Sequence, residues 1–402
     1  MKYSAARIDS LCRAVNVGHV GPSSMHRDPN GVPFLMGKNV GFGAISIRNL
    51  ERVTQDFHRS QPKSQLRAGD VVVVRIGKSG QAAKVPEALG EANCSGLVII
   101  KQPLRIDTDF LVYFLNSPIG RANSASQTRG STRLTLNTES VASALVPVPP
   151  LPEQQRIVGI LDEAFEGFSN AKANAEKNLQ NARAIFESHL QSVFTQRGPG
   201  WVEKPLSELC NIKHGFTFKG EFFTDSGDYV LLTPGNFYES GGYRDRGEKQ
   251  KYYCGEIPDG FILSKGDMLV AMTEQAAGLL GSPILIPESG RFLHNQRLGL
   301  VTKKPGVPWT NEFFFHVFNT QGVRKEIHYS ASGVKVRHTS PTKIGEVVVA
   351  FPTNLSEQKR IVSNVGSLSD ETQHLASLYE RKLGALEALK KSLLHQAFTG
   401  QL

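Results

Sequence analysis

Only four cysteines occur in 402 residues, Cys12, Cys94, Cys210 and Cys254, and none forms a CxxC pair. That scatter excludes a zinc ribbon or a disulfide-stapled scaffold and points to a reduced, cytoplasmic setting. No apolar run approaches the roughly 20 residues of a membrane span. The N-terminal MKYSAARIDSLCRAV lacks a signal peptide's apolar core, so no membrane partner is expected. Catalytic signatures are missing as well. There is no HExxH, GxSxG or GxxxxGK[ST], no His/Cys cluster at metal spacing, and no NPPF or DPPY tetrapeptide after a glycine-rich cofactor loop. Ile76-Gly-Lys-Ser-Gly80 resembles part of a phosphate loop but lacks the leading glycine, and reads as a sheet-edge turn. The histidines are dispersed, and His214, His294 and His338 read as surface or capping residues. No catalytic residue, metal ligand or cofactor is therefore assigned to this chain.

What is present begins with a globular composition: 40% hydrophobic residues over a length that suits two or three domains. Lys and Arg exceed Asp and Glu, 46 to 37, and the net charge of +9 favours a polyanionic partner.

The dominant feature is a repeat. Glu153-Gln154 and Arg156-Ile157-Val158 recur as Glu357-Gln358 and Arg360-Ile361-Val362. Leu179, Ser188, Leu190, Phe194 and Thr195 recur as Leu383, Ser392, Leu394, Phe398 and Thr399, every pair 204 residues apart. Both copies read as one long helix. Ile157, Leu161, Ala164, Phe168, Ala171 and Ala175 step by four and three, and the first seam continues through Leu179 and Phe186. In the second copy Ile361, Val365, Leu368, Thr372, Leu375 and Tyr379 step likewise, followed by Leu383, Leu386, Leu389, Leu393 and Ala397. This is the seam of a two-helix coiled coil, with Thr372 as a polar interruption. About 43 residues at roughly 1.5 Å each make a rod on the order of 65 Å long.

The segments before each rod repeat too. Leu66-Arg-Ala-Gly-Asp70 matches Leu263-Ser-Lys-Gly-Asp267, each ahead of an apolar strand. Asn39, Asn93 and Gly130 match Asn236, Asn295 and Gly333. Strands are predicted at 32–36, 71–76, 97–100 and 144–148, with short helices at 8–15 and 109–116. No βαβ period appears, so a Rossmann fold is not expected and each domain is a mixed α/β unit with a twisted, partly closed sheet. The expected order is domain 1–150, rod 151–199, domain 200–352, rod 353–402. The fold class is α+β: two duplicated mixed α/β domains separated by two long antiparallel helices that form a coiled coil, with pseudo-two-fold symmetry. Such symmetry suits duplex DNA, in which half-site spacing is geometric.

Polar and basic loops recur at matching places. They offer Lys38, Asn39, Arg75, Lys78, Ser79, Gln81, Arg129 and Arg133 in the first domain. The second offers His214, Thr217, Lys219, Asn236, Tyr238, Thr273, Gln275, Lys335, Arg337 and His338. Arg, Lys, Asn and Gln pair with base edges, and Lys and Arg also neutralise phosphates. Divergent loops on a repeated scaffold suit two different half-site readers.

The rod entries PPLPEQQRIV (149–158) and LSEQKRIV (355–362), with the exit SLLHQAFTGQL (392–402), resemble the conserved regions of type I restriction–modification specificity (S) subunits, the HsdS family. Gly69-Asp70 and Gly266-Asp267 with their following strands resemble that family's target recognition domain core, and the resemblance covers the whole chain. It implies that each domain reads one half of a split, asymmetric site in double-stranded DNA. The helices would set the spacer and dock two methyltransferase (M) subunits, and motor-nuclease (R) subunits would join for cleavage. S-adenosylmethionine, ATP and Mg would then belong to those partners. Arg156, Lys177, Arg183, Arg360, Arg381 and Lys391 are candidates for the docking face. Lys78-Ser79-Gly80 stands where the second domain has Glu274-Gln275-Ala276, so the two half-sites should differ. Pairing of the isolated chain with a second copy stays open. Two other readings also stand: the recognition module of a single-chain restriction–methylation enzyme, and a structural scaffold without DNA.

Overall fold

The structure, a computed structural model, describes residues 3–76, 79–125, 136–275 and 278–402. Its described residues divide into two compact units, Met1–Lys177 with Tyr379–Leu402, and Asn178–Leu378. Each rod therefore contributes one end to each unit.

In the first unit a four-stranded sheet has the order Cys12–Val17, Leu97–Pro103, Val71–Val74, Ala82–Lys84, all antiparallel. Its central strand is four consecutive valines, all buried. A strand turns successive side chains to opposite faces, so an unbroken apolar run must be covered on both. Val71 and Val73 pack towards Phe110, Phe114 and the rod residues Ile157 and Leu161. Val72 and Val74 pack towards Leu35 and Ile99, beneath a second sheet with the order Glu51–Val53, Arg27–Leu35, Ala92–Cys94, Gln65–Leu66. The single partly closed sheet expected from the strand pattern is thus two four-stranded sheets sharing a core, with Ala5–Arg7 and Leu145–Pro147 paired apart from them.

The second unit repeats this plan. Cys210–His214, Leu298–Lys303, Met268–Ala271 and Pro283–Leu285 form the four-stranded sheet in the same order. Met268 and Val270 face the helix side, whereas Leu269 and Ala271 face a second sheet of shorter strands with the order Phe223–Thr224, Tyr252–Tyr253, Tyr229–Leu231, Phe292–Leu293. Two helices flank each large sheet, Thr108–Asn116 with Pro118–Ala125 and Asn311–Asn319 with Gln321–Ser330. The helix expected at 8–15 is not there. Ile8–Ser10 is a single 3-10 turn, and Cys12–Val17 is a strand whose Val15 and Val17 lie opposite Ile100 and Val98. Sheet pairing of β-branched residues overrode the local pattern.

The rods are the helices Leu151–Thr195 and Leu355–Thr399, 45 residues each. In the first unit the start of one lies against the end of the other. Ile157 and Leu161 join Leu394, Ala397 and Phe398 in one cluster, and Arg156 donates to the Leu402 carbonyl at 3.0 Å. The second unit repeats the arrangement with Leu190 and Phe194 against Ile361 and Val365. Within each unit the pairing is antiparallel. The described seam departs from strict heptads. Leu375 and Leu389 are 40% and 53% exposed, against expectation, while Lys390 turns inward. A straight α-helix has 3.6 residues per turn, so a 3.5-residue stripe drifts off the contact line. The Lys390 ammonium lies 3.7 Å from the centre of the Phe42 ring and 4.9 Å from Phe165, a cation–π contact that a leucine could not make.

The repeated Glu-Gln has a structural explanation. Gln154 is 2% exposed; its Oε1 accepts the Asp107 N–H at 2.8 Å and its Nε2 donates to the Pro149 carbonyl at 2.8 Å. Gln358 is fully buried. It accepts from the Thr310 N–H and hydroxyl, both at 3.1 Å, and donates to the Pro308 and Pro352 carbonyls at 2.8 and 3.0 Å. Each glutamine bolts the start of a rod to the loop ahead of the domain's first flanking helix.

Candidate nucleic-acid interface

In the second unit the sheet ends on a polar cleft of about 610 Å³, lined by His214, Gly215, Thr217, Met272, Thr273, Gln296, Arg297, His338 and Thr339. Four residues expected from sequence meet there. His214 ends the edge strand, Thr273 and His338 face each other across a two-residue ladder, and Thr217 follows the turn at Gly215. The Thr273 hydroxyl lies 3.3 Å from His338 Nδ1. Thr217 bonds to the Gln296 side chain. Gln296 and Arg297 escaped the sequence reading, although Asn295, the residue before them, was a recognised anchor of the repeat.

Behind the cleft, His294 is fully buried with Nε2 3.0 Å from the Leu298 carbonyl. Burial pushes its imidazole down to about 4, and burial lowers His316 of the same unit in the same way. A histidine kept neutral by folding binds its proton more readily when unfolded. The stability it contributes is complete above about pH 6.5 and is lost as pH falls towards 4, up to about 3 kcal/mol for a site like His294. Hydrogen exchange across that range should show amides of Asn178–Leu378 losing protection before those of the first unit. A reversed order would remove this assignment.

The other expected residues have different employments. Asn39 and Asn236 do not face solvent. Their Oδ1 atoms accept the Met36 and Thr233 N–H groups at 3.1 and 3.0 Å, closing matching turns, and Asn236 also donates to Gln250 at 2.8 Å. Arg337 is turned back to the His328 carbonyl at 2.6 Å. Lys38 pairs with Glu51 at 2.5 Å. In the first unit Arg75 donates to the Leu136 carbonyl at 3.1 Å and accepts the Ser79 hydroxyl at 3.1 Å on its own carbonyl. Gln81, half-buried, keeps a buried Oε1 without a protein donor among the described residues. Lys219, Gln275 and Lys335 are exposed, and so is half of Tyr238, beneath the Arg244 guanidinium at 5.9 Å. Lys78, Arg129 and Arg133 lie outside the described residues.

Glu274 is buried rather than solvent-facing. Its Oε2 accepts the N–H groups of Gly278, Leu279 and Leu280 at 3.0, 2.9 and 3.1 Å, which fixes the loop beside the cleft. Among the described residues no group of three His, Cys, Asp or Glu could hold a metal ion, and no helix is long and apolar enough to cross a membrane.

Comparison with known proteins follows the duplication. The family described as type I restriction modification DNA specificity domain matches twice, over residues 7–179 and 199–379. The EcoBI specificity subunit of Escherichia coli is 25% identical over 236 residues, covering 58% of this chain and 44% of that protein, so the match spans under half of that relative. The MjaVIII specificity subunit of Methanocaldococcus jannaschii is 21% identical over 322 residues, covering 77% of this chain and 73% of that one. Two solved structures share the fold over the whole chain. One comes from work on complex assembly and conformational transition of the type I R-M system, with TM-score 0.77, 18% identity and 98% of that chain covered. The other is the HsdS subunit from Thermoanaerobacter tengcongensis, with TM-score 0.62, 18% identity and 97% covered. With two family domains covering most of its length, the chain belongs to the type I restriction–modification DNA specificity family.

Proposed function

We propose that this chain is the non-catalytic sequence-reading subunit of a type I restriction–modification complex. Each domain reads one half of a bipartite, asymmetric site in double-stranded DNA. The paired rods set the distance between the halves and dock two methyltransferase subunits, with motor-nuclease subunits joining for cleavage. S-adenosylmethionine, ATP and Mg serve chemistry on those partners. The observation that carries this reading is the pairing of one two-sheet plan with different rim chemistry. Arg75 and Ser79 stand in the first domain near the positions of Thr273 and Gln275 in the second. Of the six basic residues considered for docking, Arg156 and Arg360 are held by Glu153 and Glu357 one turn earlier, at 2.7 and 2.6 Å. That leaves Lys177, Arg381 and Lys391 as the stronger contributors.

The test is an adenine-methylation map of cells carrying the candidate methyltransferase, with and without this chain. A two-part motif that needs the chain supports the reading; identical maps sink it. Deleting one heptad from each rod shortens the ruler by about 10 Å. At about 3.4 Å per base step, the spacer should contract by about three base pairs with both half-sites intact. An unchanged spacer would remove the ruler from the proposal.

A further inference from the structure

Val334 is 98% exposed, the most exposed large apolar side chain among the described residues. It stands at the tip of a loop whose ends, Ser332 and His338, exchange two backbone hydrogen bonds at 3.0 and 2.8 Å. Gly333 makes the turn at φ +103°, where a Cβ would run into the Val336 carbonyl. Arg337–His338 then pairs with Thr273–Glu274. Arg337 is tied to the His328 carbonyl, and Lys343 holds the Ser330 carbonyl at 2.6 Å. This bracing holds a side chain that contributes almost nothing to the core, so its use lies outside the fold. The loop springs from the edge of the polar cleft, since His338 belongs to both, and exposed Lys335 follows the tip.

We infer that Val334 is a specificity-determining residue of the second domain, its methyl groups meeting the C5-methyl of a thymine in the major groove. The inference rests on the proposed DNA-reading role. Valine has no hydrogen bond to offer a base edge, and the thymine methyl is the apolar feature a groove displays. The wedges that unstack base steps are typically longer or flatter side chains, such as Phe, Leu, Ile and Met. Lys335 beside it suits a phosphate contact that fixes register.

The experiment uses the full chain with its methyltransferase on a library of duplex sites, comparing Val334→Ser and Val334→Ile with the parent. Val334→Ser should relax preference at one T·A position of one half-site by roughly five- to ten-fold. The other half-site should be unaffected, and Val334→Ile should retain the preference. The melting temperature should not move, because the side chain is solvated, so misfolding cannot imitate the result. An unchanged motif with Val334→Ser overturns the inference. So does a uniform fall at every site, which would indicate a contact to phosphate or to a protein partner. If the parent itself imparts no motif, the proposed function falls first, and that outcome is distinct from a motif indifferent to Val334.

Discussion

Asp70→Ala should destabilise the first unit by about 3–5 kcal/mol, the cost of stripping one partner from a buried ion pair. The Asp70 carboxylate is fully buried. It receives the Lys101 ammonium at 3.0 Å, the Arg67 N–H at 3.0 Å and the Gln102 N–H at 3.1 Å. Alanine would leave two amides without their acceptor and a mostly buried ammonium without its counter-charge, with the Gln65 carbonyl still accepting from it. The matching residue supplies an internal control. Asp267 is half-buried and accepts the Ser264 N–H at 2.8 Å, with no lysine beside it among the described contacts. Asp267→Ala should cost about 1 kcal/mol, the worth of an ordinary hydrogen bond. Denaturant unfolding of both variants, with hydrogen exchange to locate the loss, checks the pair. Equal losses would refute the buried-pair account. Both glycines that precede these aspartates hold φ near +84°, a left-handed turn that delivers the carboxylate back towards its own loop.

Gln358→Leu should be about as damaging, at about 3 kcal/mol or more. Leucine nearly preserves volume but removes every polar contact, leaving the Thr310 N–H and the Pro308 and Pro352 carbonyls buried without partners. Each such group costs about 1–3 kcal/mol, though losses within one network do not add fully. Gln154→Leu removes two contacts instead of four and should be milder. A thermal series of the two variants decides: a Gln154 variant as damaged as the Gln358 variant would contradict the bond count. The consequence reaches function, because these glutamines are where each domain is fixed to its rod. If the rods act as the proposed ruler, a weakened bolt should blur the spacer preference before it abolishes binding.

The duplication, the rods and the central strands were legible because they are written in spacing: a fixed 204-residue offset, four-three steps and an unbroken valine run. Roles that depend on which way a side chain turns were not. Asn39 and Asn236 looked like base readers by residue type, yet both serve turns, since asparagine's amide suits a tight turn as well as an adenine. Arg337 looked like a free cation and instead braces the loop that presents Val334. Leu375 kept the heptad count but not the contact line. The cleft was half legible: His214, Thr217, Thr273 and His338 were singled out, while Gln296 and Arg297 entered only through the strand end that brings them to the rim.

The division of the rods has a consequence for how the protein is made. Asn178–Leu378 is one continuous stretch, so everything that unit needs has been synthesised before the second rod is finished. The first unit must wait. Phe398 packs between Phe110 and Phe114, at 5.2 and 5.3 Å between ring centres, and Leu394 and Ala397 join the same core. The domain made first thus keeps an apolar face open until the far end of the second rod arrives. A nascent chain cut short before Leu394 would display that face to chaperones and proteases, so synthesis of the second rod is itself checked by the core of the domain made first.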